Sequence, residues 1–382
     1  MANPGDLDTS FSGDGKRAIN FGGIDAANAL LVQPDRRIVV AGGGGPASSF
    51  CVARLGPRGG LDTTFGSGGK RTVDFGGEDE GAFGAALQPD GKILLAGDTH
   101  LRPAVARLRP NGSLDTTFSG DGRKTFSWGP IGRVMAVLPL PNGKILAAGF
   151  SGPEGGNIQA ARLNPNGALD TTFGTGGKAT VDFGGDDFGF AMARQPNGRI
   201  LIAGSSSVAG AVVARLRANG ALDPDFDGDG RVVLPGAANG RARAVLVQQD
   251  GRIVVAGNAL GSQVMTVTRL MPNGSLDTTF SGDGTATIDV GPMIDLAGDA
   301  VLQPDGKIVV VGSTQGTGEI AVARLNPDGS LDATFGGGDG KATVDFGEAA
   351  FGNAVALQQN GRIVVAGERT AGDDFAVARL LG

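Results

Sequence analysis

Short apolar runs alternate with polar, glycine-rich breaks along the whole chain. Residues 300–346 are representative. Ala300-Val301-Leu302-Gln303 leads into Pro304-Asp305-Gly306, then Lys307-Ile308-Val309-Val310-Val311-Gly312. A variable loop precedes Ile320-Ala321-Val322-Ala323-Arg324-Leu325, and Asn326-Pro327-Asp328-Gly329 separates that run from Ser330-Leu331-Asp332-Ala333-Thr334-Phe335. Short β-branched runs bounded by such turns predict antiparallel hairpins. Proline pre-sets φ for the first turn position and glycine takes the left-handed position that follows. Each break therefore predicts a three-residue loop with a bulge at the glycine.

The pattern recurs seven times. The tag Leu-Asp-x-x-Phe places its aspartate at Asp8, Asp62, Asp115, Asp170, Asp223, Asp277 and Asp332, in steps of 53 to 55 residues. An Arg-Leu tag precedes it at Arg54, Arg107, Arg162, Arg215, Arg269 and Arg324, with a last copy at Arg379. A fixed period of this length means a repeat architecture. Residues present in every copy are expected to build the fold, and residues that differ between copies are where a function could sit.

The hairpin register pairs Asn326 with Ser330, which sets Leu325 opposite Leu331 and Arg324 opposite Asp332. The same offset predicts Arg–Asp pairs at 54/62, 107/115, 162/170, 215/223 and 269/277. Every arginine has its own aspartate, so a structural role outweighs a ring of binding arginines. The seventh pair is divided between the ends of the sequence, Arg379 and Asp8. The C-terminal stretch stops where Asn-Pro-Gly-x-Leu-Asp would follow, and the sequence opens on Asn3-Pro4-Gly5-Asp6-Leu7-Asp8. This is the pattern of a closed ring cut within one unit. Four-stranded units closed radially make a propeller, whereas an open solenoid would need atypical capping repeats. The expectation is all-β: a single domain over residues 1–382, a seven-bladed β-propeller of four antiparallel strands per blade, with terminal strands sharing one blade.

The Ala-Val-Leu-Gln segment is expected to be innermost. A fifth strand-like segment per copy, such as Lys178-Ala179-Thr180-Val181-Asp182-Phe183, is assigned to the connection of the outer strand. The split blade then takes three strands from the C-terminal side and one from the N-terminal side. In the alternative frame Lys-Ile-Val-Val-Val-Gly is innermost and closure is two plus two.

Residues 302–336 resemble the bacterial delta-60 repeat, whose pattern runs Gln-Pro-Asp-Gly-Lys-Ile-Leu-Val-Ala-Gly … Ala-Arg-Leu-Asn-Pro-Asp-Gly-Ser-Leu-Asp-Thr-Thr-Phe-Gly. The resemblance covers nearly the whole chain. It implies a β-propeller akin to NHL and kelch repeats, often within large secreted or surface-associated bacterial proteins, so an extracellular or cell-surface location. It brings no catalytic residues. Two departures are local: Arg36 replaces a turn glycine, and Leu138-Pro139-Leu140-Pro141 disturbs the third copy.

Composition narrows the function classes. The net charge of −6 disfavours nucleic acid as a partner. No apolar run approaches the roughly 18 residues of a membrane helix, and the opening residues do not read as a signal peptide. One cysteine, Cys51, leaves no intrachain disulfide or thiolate cluster. Tyrosine is absent and Trp128 is the only tryptophan, so the common aromatic platforms for sugars and bases are scarce. Cys51 aligns with small residues of other copies and reads as a buried strand position. His100 stands alone in a variable loop and reads as a surface residue. Trp128 takes the place of Phe75 and Phe183 in packing.

The Pro-Asp-Gly turns belong to one face of the expected disc and the varying loops to the other. Loops on a rigid scaffold are where function usually sits. Here they carry Asp25, Glu78, Asp79, Glu80, Asp186, Asp187, Asp295, Asp299, Glu348, Asp373 and Asp374. Such carboxylates could bind calcium, attract a basic partner or form a solvated rim, and no single loop supplies a full ligand set. Gly-Asp-Gly recurs at Asp14, Asp121, Asp229, Asp283 and Asp339. Residues 225–230 mimic the start of a calcium loop, but its twelfth position is Gly236 where glutamate is required. No metal site, cofactor or catalytic residue is assigned. The expected function is a non-catalytic binding scaffold, a monomer that presents its variable loops to a protein or extracellular polymer. The alternatives are a calcium-dependent hydrolase or lyase at the channel mouth, and a structural spacer within a larger surface protein.

Overall fold

Each repeat folds into one four-stranded antiparallel sheet in the computed structural model, which describes residues 2–152, 156–236, 240–259, 264–291, 293, 295–370 and 372–382. Six sheets are built from consecutive strands, and the seventh takes Ala350–Leu357, Ile363–Arg369 and Asp374–Leu380 from the C-terminal side and Lys16–Ile19 from the N-terminal side. The molecule is a seven-bladed β-propeller closed three plus one, which rules out the two-plus-two frame.

The first strand of each blade faces the axis: Ala26–Val32, Gly81–Leu87, Gly132–Pro139, Asp187–Arg194, Arg241–Val247, Asp295–Leu302 and Ala350–Leu357. The second strand is near-continuously apolar, as in Ile308–Thr314, and is buried because blades pack on both of its faces. Seven apolar clusters alternate with the sheets, and each draws on two neighbouring blades. The Pro-Asp-Gly loop has the expected form: Gln303 donates to the Lys307 carbonyl, Gly306 donates to Gln303, and Gly306 has φ +87°. At the copy that lacks the glycine, Arg36 itself adopts φ +67°.

The fourth strand corrects the assignment of the fifth segment. That segment is the outer strand (Lys178–Val181 in the third blade), and the Leu-Asp-x-x-Phe tag is a turn joined by a single bridge, Leu163 to Leu169. The reason is local. The tag aspartate turns its carboxylate onto the backbone and hydroxyl two residues on, as Asp170 does with Thr172, and the Phe173 N–H returns to the Asp170 carbonyl. An aspartate that satisfies nearby backbone favours a turn over a ladder.

Candidate functional site

The tight-turn face is held by a motif repeated in all seven blades. The Arg-Leu arginine approaches the tag aspartate through Nε at 2.9 Å (Arg54–Asp62), 2.8 Å (Arg107–Asp115), 2.5 Å (Arg162–Asp170), 2.7 Å (Arg215–Asp223), 2.7 Å (Arg269–Asp277), 2.7 Å (Arg324–Asp332) and 3.0 Å (Arg379–Asp8). Each guanidinium lies over its own tag phenylalanine, with centroid distances from 4.6 Å (Arg215–Phe226) to 4.9 Å (Arg379–Phe11). One further nitrogen donates to the tag hydroxyl, as Arg107 does to Thr117 at 3.0 Å, and the other reaches the next blade: Arg107 bonds the Pro165 carbonyl at 2.7 Å and Arg379 bonds Pro57 at 2.5 Å. A second cation, from just past the Pro-Asp-Gly loop, completes the set, as Lys144 does at Asp170 and Arg362 at Asp8. Burial favours the neutral acids, but hydroxyl and cation partners outweigh it: Asp8 is held at about 2, and Asp170 and Asp332 lie well below the ordinary carboxylate range. These charges are spent on joining blades. The second cation was legible as the Lys or Arg that opens every Lys-Ile-Val-Val run.

The opposite face carries the varying loops. Four of the candidate acids are buried clips at the entry to a first strand. Asp25 accepts from Phe21 and Gly45 at 2.5 and 2.7 Å. Glu80 accepts from Phe75, Gly77 and the Thr99 hydroxyl, each at 2.8 Å. Asp187 accepts from Phe183 at 2.6 Å, and Asp295 from Val290 and Gly291 at 2.6 and 3.2 Å. Burial raises the pKa of Asp25, Asp187 and Asp295, with the backbone donors opposing it. Glu348 is ion-paired with Arg369. Glu78, Asp79 and Asp373 are exposed, and Asp186 and Asp374 are half-buried, at three separate places around the ring. Among the described residues no group of three or more His, Cys, Asp or Glu is placed to hold a metal. His100 is exposed in a hairpin loop, Cys51 is a free thiol whose burial raises it to about 12, and Trp128 packs edge-on against Phe126 at 5.3 Å.

Four large apolar side chains also stand exposed on this face: Ile24 (79%), Val208 (72%), Met293 (56%) and Leu101 (38%), from four different regions of the ring. Val233, on an outer strand, is the other large exposed apolar residue among those described.

The axis holds the features that the sequence reading missed. A cavity of about 530 Å³ is lined by first-strand residues of all seven blades. Every first strand carries a bulge at one equivalent point, between Ala27 and Ala29, Ala82 and Gly84, Val134 and Ala136, Gly189 and Ala191, Ala242 and Ala244, Ala297 and Asp299, and Gly352 and Ala354. A bulge re-aims a side chain, and the seven bulged residues are Asn28, Phe83, Met135, Phe190, Arg243, Gly298 and Asn353, all on the cavity wall. Asn28 donates to the Ala82 carbonyl at 2.9 Å and Asn353 to Ala27 at 3.1 Å, so the two amides tie neighbouring first strands together. Asp299 accepts from Val355 of the next blade at 3.0 Å and from Ala300 at 2.8 Å. Expected on a varying loop, it instead lies within the first strand Asp295–Leu302, half-buried on the cavity wall, and burial raises its pKa to about 6. Glu368, on the same wall, is raised by burial alone. The phenylalanines here supply an aromatic surface that the lack of tyrosine had argued against. The available signal was their position: the column of the Ala-x-Ala-Val-Leu segment that differs most in chemistry between copies.

Seven segments of the chain, residues 33–65, 88–118, 140–173, 195–226, 248–280, 303–335 and 358–382, match the model of a family described as "Domain of unknown function (DUF5122) beta-propeller". None of the curated proteins matches the chain in sequence. Solved structures share the fold at low identity. A streptogramin B lyase structure superposes with a TM-score of 0.62 at 10% identity, covering 96% of this chain and 97% of that one. YCF48 bound to D1 peptide gives 0.55 at 12% identity, over 100% and 98%. The polysaccharide lyase Uly1 gives 0.51 at 11% identity, over 93% and 90%.

Proposed function

This chain belongs to the DUF5122 beta-propeller family, and from that premise we propose that it is a non-catalytic binding module. It presents the variable-loop face to a protein or an extracellular polymer. The observation that carries this reading is the placement of Ile24, Leu101, Val208 and Met293, apolar and solvent-facing on loops spread around one face. Scattered single apolar residues are ordinary and contiguous patches mark interaction sites; these four are separate, and the reading rests on their all lying on the face of the varying loops. The tight-turn face, by contrast, uses its charges to hold itself together. Chains of this fold include both lyases and a peptide-bound protein, so the fold does not choose between catalysis and binding. The calcium-dependent enzyme reading needs free carboxylates at the mouth, and Asp25, Glu80, Asp187 and Asp295 are engaged by their own loops.

The test compares capture of binding partners by the parent chain and by the double variant Ile24→Asp, Val208→Asp. Loss of the captured species in the variant, at unchanged melting temperature, supports the face. Equal capture by both would place binding elsewhere.

A further inference from the structure

The axial cavity makes a second, separate claim that does not depend on the loop face. Arg243 points into it from the bulge of the fifth blade and stacks on Phe190 of the fourth, its guanidinium carbon 4.4 Å from the ring centroid. No hydrogen bond or ion pair to Arg243 is found among the described residues, unlike the seven arginines of the tight-turn face. Asp299 shares the cavity but is engaged by two backbone amides, and the one neighbouring charge that acts on Arg243 is the cation of Arg241. Arg243 is thus a partly buried cation with a stacked face and an unused edge of N–H donors. A guanidinium in this state is costly without a partner, and its planar fork matches an oxyanion.

We propose that this cavity binds a carboxylate carried on an apolar body, with Arg243 as the anchor. Stacking on Phe190 occupies the guanidinium face and leaves the coplanar N–H groups for a bidentate bond. Phe83, Met135, Phe351 and Leu296 line the remaining wall and suit an apolar or aromatic group. The volume of about 530 Å³ lies within the range of small-molecule sites. Asp299 and Glu368, on the two following blades of the same cavity, select against a dianion such as phosphate and favour a single negative charge. The same chemistry is offered by a free small acid and by the C-terminal carboxylate of a peptide.

Calorimetric titration separates these sources. The probes are 3-phenylpropionate, its amide, and a short peptide ending in phenylalanine with a free or an amidated C-terminus. Binding of the acids and not of the amides is expected, and the tighter of the two acids identifies the source. Arg243→Gln should weaken binding about ten-fold or more, the loss of one charge-assisted pair. Its melting temperature without ligand should equal or exceed that of the parent, because an unpaired cation has been removed. Equal affinity for acid and amide, no binding of either acid, or undiminished affinity in Arg243→Gln would each overturn the proposal. So would a marked fall in melting temperature of Arg243→Gln, which would make the arginine structural. Arg243→Lys, which keeps the charge and loses the fork, should retain the fold with reduced affinity. The variant Ile24→Asp, Val208→Asp should bind the acids unchanged, so failure of the loop-face reading is read apart from failure of this one.

Discussion

Asp299 stands where other blades place Ala29, Gly84, Ala136, Ala191, Ala244 and Ala354. Its carboxyl is raised to about 6 by burial, against about 3.9 for a free aspartate. The folded state therefore holds this proton more tightly than the unfolded state does. The favourable contribution is complete below about pH 4 and is lost as pH rises through 6. Asp299→Ala removes that titration, so its stability relative to the parent should improve by about 1–3 kcal/mol between pH 4.5 and pH 7.5. Denaturant melts at the two values measure the difference, and a pH-independent gap would show that the residue does not titrate in this range. The tag aspartates have the opposite sign. Their pKa values are depressed, so their contribution holds at neutral pH and fades only as pH falls below about 4. Removing one member of a buried pair such as Arg215–Asp223 would cost about 3–5 kcal/mol. The pairs could be read from the sequence because one hairpin sets both residues eight apart. The bond from the arginine to the next blade, as from Arg107 to Pro165, could not, because those partners meet only across a sheet interface.

Lys16–Ile19 is the element that closes the ring. It pairs in register with Asp374–Leu380, from Lys16 opposite Ala378 to Ile19 opposite Phe375. The preceding residues add the Leu7–Leu380 bridge, the buried Phe11 and the Asp8–Arg379 pair. Deleting residues 1–19 removes an outer strand and part of a shared core, and exposes the buried Phe375 and Val377. The expected result is a melting temperature lower by many degrees, followed by circular dichroism, because each wholly buried large side chain is worth about 1.5–3 kcal/mol. An unchanged melt would mean that the closing strand contributes nothing. Of the elements, the hairpins were legible from turn chemistry alone. The fourth strand was not, since Lys-Ala-Thr-Val and Leu-Asp-x-x-Phe offer similar β propensity. The choice falls to the aspartate, whose carboxylate finds the backbone of its own turn.

Across the whole molecule, charge is divided by face. Aspartates, arginines and lysines pair on the tight-turn face, whereas the loop face carries clipped acids and exposed apolar residues. Because the buried loop acids already accept backbone hydrogen bonds, calcium in excess over chelator should leave the melting temperature unchanged. A rise of several degrees would mean that Glu78, Asp79, Asp186, Asp373 or Asp374 gathers an ion, and would revive the calcium-dependent alternative.

By itself the sequence determined the repeat, the hairpins, the closure and the number of blades. Each of these follows from local turn chemistry and from a period written seven times. The axial cavity was decided only by the tertiary structure. Seven bulges, one per repeat, turn six side chains of four kinds and one glycine toward one axis, and residues about 54 apart become neighbours there. Within one repeat such a residue is a single departure from the consensus; only ring closure sets Arg243 over Phe190 and beside Asp299, where its missing partner becomes visible.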